Sequence, residues 1–383
     1  MNVTGYELFE VPPRWLFLRL DTDEGLVGWG EPIVEGKAPT VRAAVGQLLD
    51  NYLVGTDPLR IGNHWQMMYR GSFYRGGPIL MSAIAGIDQA LWDIKGKHYG
   101  APVYDLLGGQ CRDRVPVYQW IGGDRPTEVA AEGEKMVDAG YGAVKMDAIE
   151  RMEQIDSPAA VEEAVDRVRH VRETLGDDVD ICVDFRGRAS TTMARQLANA
   201  LEPFSPMFIE EPVAPENDDN LSLLAEATNV PIATGERRYS RWDFKSLLQP
   251  RSVDVVQPDV SHAGGITEVV KIAHMAHAHD VAIAPNCPLG PIALASSLQV
   301  TMAVQNALIQ DHGFDSSLAP DSVGHEYLAD PGVFEFDDGY VVPPDEPGLG
   351  ITIDEDAVRE KAGQDINWHN PVWRHGDGSA ANW

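Results

Sequence analysis

Three acidic residues end short apolar segments of the sequence at a constant interval. Asp184 ends DICVD, Glu210 ends MFIE and Glu236 ends PIATGE, so successive acids are 26 residues apart. One acid after a strand is more often a helix N-cap than a ligand, but three acids in the same phase meet if the segments are parallel strands. Neighbouring carboxylates repel unless a cation neutralises them, and an all-oxygen set with room for water or substrate suits Mg2+. We therefore predict that Asp184, Glu210 and Glu236 bind one Mg2+ ion per chain.

Further polar residues follow other apolar segments of the same kind. Lys145 and Asp147 lie at the end of GAVKMD, Arg186 lies two residues beyond Asp184, and Asp259 follows VDVVQP. Taken singly, each of these residues is also consistent with a surface salt bridge or a helix cap, and for Asp147 both interpretations stay open. Together they predict a polar cup around the metal ion. The candidate catalytic residues are Lys145, Asp147, Arg186, Asp259, Asn286 and Asp311.

The elements that must position these residues repeat along the middle of the chain. From Val115 onwards, eight β-branched or apolar runs alternate with helical stretches such as 157–175 and 265–279. Eight strands alternating with helices over about 200 residues predict a parallel sheet closed into a (β/α)8 TIM-type barrel, whose C-terminal rim carries the active site. A doubly wound open sheet is the alternative, but the Gly-rich fingerprint that would follow its first strand is missing.

The segments on either side of the barrel predict an α+β capping domain. Residues 14–31 alternate apolar and polar on both sides of a turn that contains Gly25, as a β-hairpin does. Helical patterns follow at about 41–52 and 79–98, and the second is apolar on almost every face, so we expect it to be buried. After the barrel, short strands are expected within 333–342, and the tail should pack back on the N-terminal segment. The predicted boundaries are 1–112 for the N-terminal cap, 113–317 for the barrel and 318–383 for the returning C-terminal segment.

Composition excludes several classes of protein. Of the 383 residues, 44% are hydrophobic and 23% charged, which are globular values, and no run approaches the ~18 apolar residues of a membrane span. Fifty-nine acidic against thirty basic residues give a net charge of −29, which repels nucleic acid and anionic membranes. The acids are spread along the chain and few of the bases are Lys, so the surface resembles one adapted to high salt. Three widely spaced cysteines and no visible secretory signal favour a cytoplasmic protein.

Several motifs, in their order and spacing, resemble one known family. The segments DFRGR, FIEEPV, GERRYSRWDF, QPDVSHAGGITE and APNCPLGPIA resemble the enolase superfamily, in particular its mandelate racemase subgroup and, within that, the galactonate dehydratases. The resemblance runs almost from end to end. It implies a modified barrel under a cap built from both chain ends, Mg2+ held by the three acids, and a homo-oligomer. It further implies removal of the proton α to a carboxylate, a metal-stabilised enediolate, and loss of water to give a 2-keto-3-deoxy sugar acid.

The sequence departs from this family at the residues that transfer protons. The related dehydratases carry His as general acid at the position of Arg186 and His as general base at the position of Asn286. Asp259, which in the family supports that second His, is present without it, and the family's Glu at the end of the eighth strand is Asp311. An Asn amide takes up no proton at a useful pH, and Arg stays charged. The family's acid–base pair therefore cannot operate here unaltered.

The leading hypothesis is a Mg2+-dependent sugar-acid dehydratase, acting on a galactonate- or gluconate-like acid with altered acid–base residues. Lys145 is the first choice of replacement base, because partial burial and a cationic neighbour such as Arg186 would lower its pKa, and Asp147 is the second. A carboxylate-binding or structural role for Lys145 stays open. Two rivals remain: a homologue that binds metal and sugar acid with little or no turnover, and an epimerase of the same superfamily. We expect Asn286 to lie within hydrogen-bond reach of Asp259, and Arg186 beside Asp184.

Overall fold

The computed structural model describes residues 1–383 except 250–251, 313–322, 365, 367 and 383. The chain begins with an antiparallel sheet of three strands in the order β1-β2-β3. The predicted hairpin is confirmed, because Leu18 pairs with Gly30 across β2 and β3, and Gly25 has a positive φ of 80° in the turn. The strands are β1 (Val3–Val11), β2 (Trp15–Thr22) and β3 (Val27–Gly30).

Four helices complete the N-terminal part of the cap. The third is buried along most of its length, as its apolar sequence predicts, and it packs directly on β3. Gly30 permits this packing, since a Cβ there would lie 1.9 Å from the carbonyl oxygen of Gly86. The helices are α1 (Ala38–Tyr52), α2 (Ile61–Arg70), α3 (Pro78–Tyr99) and α4 (Val103–Leu106).

The middle of the chain forms a parallel sheet whose strands follow one another in sequence order, from β5 to β11. A doubly wound sheet would reverse its order at one point, so the barrel prediction is confirmed and the alternative is wrong. Residues 307–310 take the eighth position through isolated bridges from Ala307 to Ile283 and from Gln310 to Val117, which close the sheet. After β4 (Val115–Pro116), the barrel strands are β5 (Gln119–Trp120), β6 (Ala143–Asp147), β7 (Asp180–Asp184), β8 (Phe208–Glu210), β9 (Ile232–Thr234), β10 (Val255–Val256) and β11 (Ala282–Ile283).

Helices alternate with these strands around the barrel. The side chains of Ser157 and Ser190 cap two of them by accepting hydrogen bonds from the backbone of Ala160 and Met193, which satisfies amides that a helix start leaves unpaired. The helices are α5 (Pro126–Asp138), α6 (Pro158–Leu175), α7 (Thr191–Leu201), α8 (Leu221–Ala225), α9 (Arg241–Leu248), α10 (Ile266–Ala278) and α11 (Pro291–Ala303). No helix in the described ranges is long and apolar enough to cross a membrane.

The C-terminal segment contacts both parts of the molecule. Its strands β12 (Glu335–Asp337) and β13 (Tyr340–Val342) confirm the predicted short strands, they pair with each other as a hairpin, and β13 also pairs with β4. Helix α12 (Glu355–Lys361) lies against the cap, where Arg359 donates a 2.9 Å hydrogen bond to Glu7. Further on, the Asn382 side chain lies 3.5 Å from the carbonyl oxygen of Gly187 on a barrel loop. The predicted boundary residues between the domains stay a prediction.

Two buried carboxylates of the cap reach the N-termini of barrel helices. Glu31 accepts backbone hydrogen bonds from Gly290 and Ala293 at the start of α11, at 2.7 and 3.0 Å. Asp88 accepts one from Thr267 in α10 at 2.9 Å. The amides at a helix start carry partial positive charge, so these contacts fasten the cap to the barrel.

Candidate active site

The interior of the barrel is built in two layers. The lower layer is apolar, with one small or aromatic side chain from nearly every strand, for example Ala143, Cys182 and Phe208. Because side chains that point inward recur every second residue, the residues two positions further on also point into the barrel. They form a polar upper layer: Lys145, Asp184, Glu210, Gln257, Asn286 and Asp311. The fold therefore explains why candidate residues separated widely in sequence lie together at one end of the barrel.

Lys145 lies buried between two of the predicted metal ligands. Its Nζ donates a short hydrogen bond to Glu210 Oε1 and lies 4.0 Å from Asp184 Oδ2. The other oxygen of Glu210 accepts a 2.7 Å hydrogen bond from Gln257 Nε2. Beneath the ammonium group lie the rings of Trp120 and Tyr118, with centroids at 4.6 and 5.3 Å, so that two aromatic faces and two carboxylates stabilise its charge.

The expectation of a lowered pKa for Lys145 is wrong for this arrangement. Full burial alone would lower the pKa of its ammonium group, but the charges of Glu210 and Asp184 outweigh that effect and raise it above its ordinary value. Arg186 is not the decisive neighbour, since it is itself held by carboxylates. Without a metal ion on these carboxylates Lys145 is therefore a cation, and its role as a base stays a prediction.

The predicted metal ligands are close enough to repel one another. Burial raises the pKa of Glu236 to about 7, and the charges of Glu211 and Asp184 add to the rise. Burial likewise raises the pKa of Glu210 well above its usual value, although the pairing with Lys145 opposes it. The raised pKa values of Glu210 and Glu236 indicate that these two carboxyl groups have too little positive charge around them.

The donor set fits a hard cation. Asp184 Oδ2 is buried and accepts no hydrogen bond within the described part of the chain, and Glu236 has its nearest cation, Arg237 Nε, at 4.0 Å. This oxygen is ion-paired with Arg186 Nε at 3.3 Å, and neighbouring carboxylates suit Mg2+. Across the residues that the structure describes, no three His, Cys, Asp or Glu side chains are placed so that they could hold a metal ion together. The assignment of Asp184, Glu210 and Glu236 as ligands therefore stays a prediction.

Arg186 lies beside Asp184, as predicted, in a sharply turned loop after β7. Its φ is +54°, a region that non-glycine residues rarely adopt. The Asp184 side chain stabilises this turn by accepting a 2.6 Å hydrogen bond from the Arg186 backbone amide. The guanidinium group lies over the Trp120 ring at 4.5 Å, and Nε donates to Asp147 at 3.0 Å. Burial alone would lower the pKa of Arg186, but the charges of Asp184 and Asp147 raise it, so Arg186 stays a cation.

The opposite side of the upper layer has the Asn286 amide at the position where the resemblance implies a histidine. Asn286 Nδ2 donates a 3.2 Å hydrogen bond to Asp259 Oδ2, which confirms the predicted contact. The other Asp259 oxygen accepts from the Ser261 amide at 2.7 Å. Burial raises the pKa of Asp259, and Asp311 Oδ2 accepts a longer bond of 3.4 Å from the Cys287 amide.

Sequence reasoning missed several residues of this site. Gln257 and Tyr118 lie in the two interior layers, and extending the alternation of β5 and β10 by one step would have found them. His262 lies within the motif QPDVSHAGGITE, and the sequence does not mark it as a site residue. Its Nε2 lies 4.0 Å from Asp259 and its Nδ1 lies 2.9 Å from Ser82 Oγ. Arg188 had no signal in the sequence, because its contacts depend on how the loop after β7 turns.

Comparison with known families agrees with this geometry. A family profile described as "Enolase C-terminal domain-like" matches residues 128–357, and one described as "Mandelate racemase / muconate lactonizing enzyme, N-terminal domain" matches residues 13–108. The chain belongs to the enolase superfamily. The predicted family and its fold, a barrel with a cap, are therefore confirmed.

Enolase-superfamily relatives cover the whole chain. It is 51% identical over 383 residues, all of both chains, to a D-galactonate dehydratase of Ralstonia nicotianae, and 50% identical over the same length to one of Pectobacterium atrosepticum. The predicted similarity to hydro-lyases that act on sugar acids is thereby confirmed. Among solved structures, an enolase of Agrobacterium radiobacter, named as a candidate galactarate dehydratase and bound to Na and L-malate, superposes with a TM-score of 0.92 at 33% identity over all of both chains. A candidate dehydratase of Mesorhizobium loti gives a TM-score of 0.88 at 31% identity, over 95% of this chain and 99% of the other.

Proposed function

We propose that the protein is a Mg2+-dependent sugar-acid dehydratase that acts on a galactonate- or gluconate-like acid. The observation that supports this most is the polar upper layer, in which Asp184 and Glu210 lie beside the buried ammonium group of Lys145, with Glu236 just past the end of β9. Such a layer has the charges needed to hold a cation and the carboxylate of a substrate side by side. The full-length identity of about half to D-galactonate dehydratases supports the same substrate class.

The residues that would hold Mg2+ are Asp184, Glu210 and Glu236. A bound Mg2+ ion would supply a positive charge that stabilises the negative charge developing on the substrate carboxylate when the neighbouring C–H bond breaks. The chain's own contribution is to hold these acids in a dry, shaped layer and to exclude water from it. Gln257 keeps the Glu210 carboxylate in place through its 2.7 Å hydrogen bond.

The cations beside the acids would bind and orient the substrate. Lys145 presents a buried ammonium group, and Arg186 a guanidinium group whose Nε is already held by Asp147. As cations, both would donate hydrogen bonds to a substrate carboxylate or to the departing hydroxyl group, and Lys145 stays the first candidate base from the sequence. Asn286 and Asp259 would bind substrate hydroxyls on the other side, with Asp311 nearby. Asp147 is the remaining candidate base from the sequence.

A second candidate function is the binding of metal and sugar acid with little turnover. The hydrogen bond from Asn286 to Asp259 favours it, because an amide occupies the place of a proton-transferring imidazole. Positioned acid–base groups typically contribute ~10²–10⁴-fold each. An epimerase is less favoured, since it needs a base on each face of the substrate.

One experiment separates these functions. The protein is incubated in D2O with Mg2+ and a set of aldonic and aldaric acids, and NMR follows deuterium uptake at C2 while a colorimetric assay follows 2-keto acid. We expect keto acid from an aldonic acid. Exchange without keto acid would indicate an epimerase, and binding without either would indicate the second candidate. Glu236→Gln is the control that should lose every Mg2+-dependent signal, whereas Glu216→Gln, an exposed acid, should keep them.

We also propose, on the resemblance and on the charge balance, that the protein is a homo-oligomeric carbohydrate-catabolic enzyme of the cytoplasm, adapted to high salt. The surplus of acids makes nucleic acids and anionic membranes unsuitable partners. Sedimentation across a range of KCl concentrations tests the oligomer, since a monomer under all conditions would contradict it.

A further inference from the structure

A cavity distinct from the polar layer lies between barrel loops and the C-terminal segment. Its volume is about 410 Å³, and it is walled by the loops after β6, β7 and β8 and by residues 375–382. None of the three predicted metal ligands lines it. The lining residues that the argument needs are Arg151, Glu153, Arg188, Thr191, Thr192 and His375.

Arg188 is a buried cation whose charge is only partly balanced. Its side chain is 7% exposed, and its one ion pair within the described ranges is with Asp147 Oδ2 at 3.5 Å. The same carboxylate already accepts a shorter bond from Arg186, so one negative charge serves two guanidinium groups. Arg188 Nη1 donates to the carbonyl oxygen of Ile149 at 2.8 Å, whereas Nε is buried and has no hydrogen-bond partner among the residues that the structure describes. Leaving a buried donor unpaired costs about 1–3 kcal/mol, so an acceptor here would be stabilising.

The rest of the cavity wall is, like Arg188, mostly positive in charge. Helix α7 begins at the cavity, with Thr191 and Thr192 in its first turn, and the amides of such a turn carry partial positive charge. Arg151 adds a second guanidinium group. Among the described lining residues the only acid is Glu153, which pairs with His375 at 3.1 Å. In a chain with 29 more acids than bases, a wall of this composition is unusual.

The C-terminal segment completes the cavity. Trp373 lies over the Arg188 guanidinium group at 4.4 Å, which covers one face of the cation and shields it from water. Arg374 contributes its carbonyl oxygen to Arg151 at 3.3 Å, and a bridge between Arg374 and Ala380 folds the segment back on itself.

We propose that this cavity binds a small oxyanion, a carboxylate or a phosphate, between Arg188, Arg151 and the first turn of α7. Its oxygens would accept hydrogen bonds from the Arg188 N–H that has no partner and from the hydroxyl and amide groups of Thr191 and Thr192. The site is separate from the metal-centred layer but linked to it, because Asp147 contacts both Arg188 and Arg186.

Calorimetric titration in a buffer with EDTA and constant KCl tests the proposal. Without divalent metal, binding at the metal-centred layer is suppressed, and Glu236→Gln serves as the background protein to suppress it further. We expect inorganic phosphate to bind at one site per chain. A parallel titration with galactonate distinguishes the ligand classes: binding of both indicates a general oxyanion site, and binding of phosphate alone indicates a phosphate site. No saturable binding of either up to ~20 mM, where a ~1 mM site would be filled, would overturn the proposal.

Variants of the wall locate the ligand. Arg151→Gln and Thr192→Glu should each weaken binding about tenfold, equal to about 1.4 kcal/mol, and Thr192→Glu should leave the helix intact because an acid suits its first turn. Arg188→Gln should abolish binding, with circular dichroism confirming that it folds. The matched control is Arg195→Gln, which removes an exposed Arg from the same helix outside the cavity. If Arg195→Gln weakens phosphate binding as much as the wall variants do, only the overall electrostatic field of the protein attracts the anion, and the proposed site is overturned. Because no turnover is measured, the result does not depend on the dehydratase proposal.

Discussion

The two sides of the barrel's polar layer differ in what they can do. On the side of β7, β8 and β9, the acids are buried beside cations, and the pKa values of Glu210 and Glu236 are raised by burial and by the charges of neighbouring acids. On the side of β10 and β11, the uncharged amide of Asn286 donates a 3.2 Å hydrogen bond to Asp259. The first side carries the charges proposed to bind a cation and an anionic substrate, while the second has Asn286 at the position where the resemblance implies a proton-transferring histidine. Binding and proton transfer can therefore be tested separately on the two sides.

Introducing histidines at positions 186 and 286 should have the largest effect on dehydration. The double variant Arg186→His with Asn286→His places imidazoles where the related dehydratases have them, beside Asp184 and Asp259. We expect D-galactonate dehydration to rise by at least ~10²-fold over the parent, because each acid–base group is worth ~10²–10⁴-fold. The measurement is 2-keto acid formation with Mg2+, with both single variants as controls. Fast turnover by the parent would contradict the division between the two sides.

Removing the cation from the first side should destabilise the metal-free protein. Lys145→Met leaves the buried Glu210 carboxylate without its ion pair, which typically costs 3–5 kcal/mol. Chemical denaturation with EDTA should show that loss, and excess Mg2+ should recover part of it. Lys135→Met is the matched control, because Lys135 is 68% exposed. If both variants lose equal stability, Lys145 does not balance the acids.

Removing one acid from the first side should weaken metal binding without touching the second side. For Glu236→Gln we expect a loss of Mg2+ affinity of about 100-fold or more, since even outer-shell changes cost 10–100-fold. Calorimetry with MgCl2 measures it. An unchanged affinity would remove Glu236 from the ligand set.

The second side also contains a pH-dependent contact with the cap. Burial raises the pKa of Glu31 from 4.5 to about 8, so the folded state holds a proton that the unfolded state releases. The stability due to this proton is complete below pH 4.5 and is lost as pH rises through about 8, at up to ~1.4 kcal/mol per pH unit. Glu31→Gln should therefore show a smaller fall in melting temperature between pH 6 and pH 9 than the parent. Glu226→Gln, at an exposed position, should behave as the parent does, and identical pH profiles for all three would contradict the shift.

The smallest effect should come from the surface outside both sides. Salt screens the repulsion among surplus acids, so the melting temperature should rise by several degrees between low salt and molar KCl. No change would argue against adaptation to high salt.

Alternation explains what the sequence predicted and what it did not. The step of two residues from Cys182 to Asp184 and from Phe208 to Glu210 is local, so the strand pattern was enough to bring these acids together. The charge state of Lys145 was not predictable, because it depends on side chains from two neighbouring strands and on complete burial. The cavity at Arg188 depends on contacts with residues almost two hundred positions later, such as that between Gly187 and Asn382, and no local pattern carries that information.

The contacts of Glu31 and Asp88 with barrel helices limit how the enzyme can be recombined. A Cβ on Gly290 would lie 2.8 Å from Glu31 Oε1, and one on Gly265 would lie 2.5 Å from Asp88 Oδ2, so each acid needs a glycine on the other side of the junction. A cap exchanged for that of a relative must therefore be accompanied by the matching helix starts. A chimera joined at a linker alone would bury an unmatched carboxylate. The boundary of an interchangeable module is therefore set by these two acid–glycine pairs and not by the chain connections.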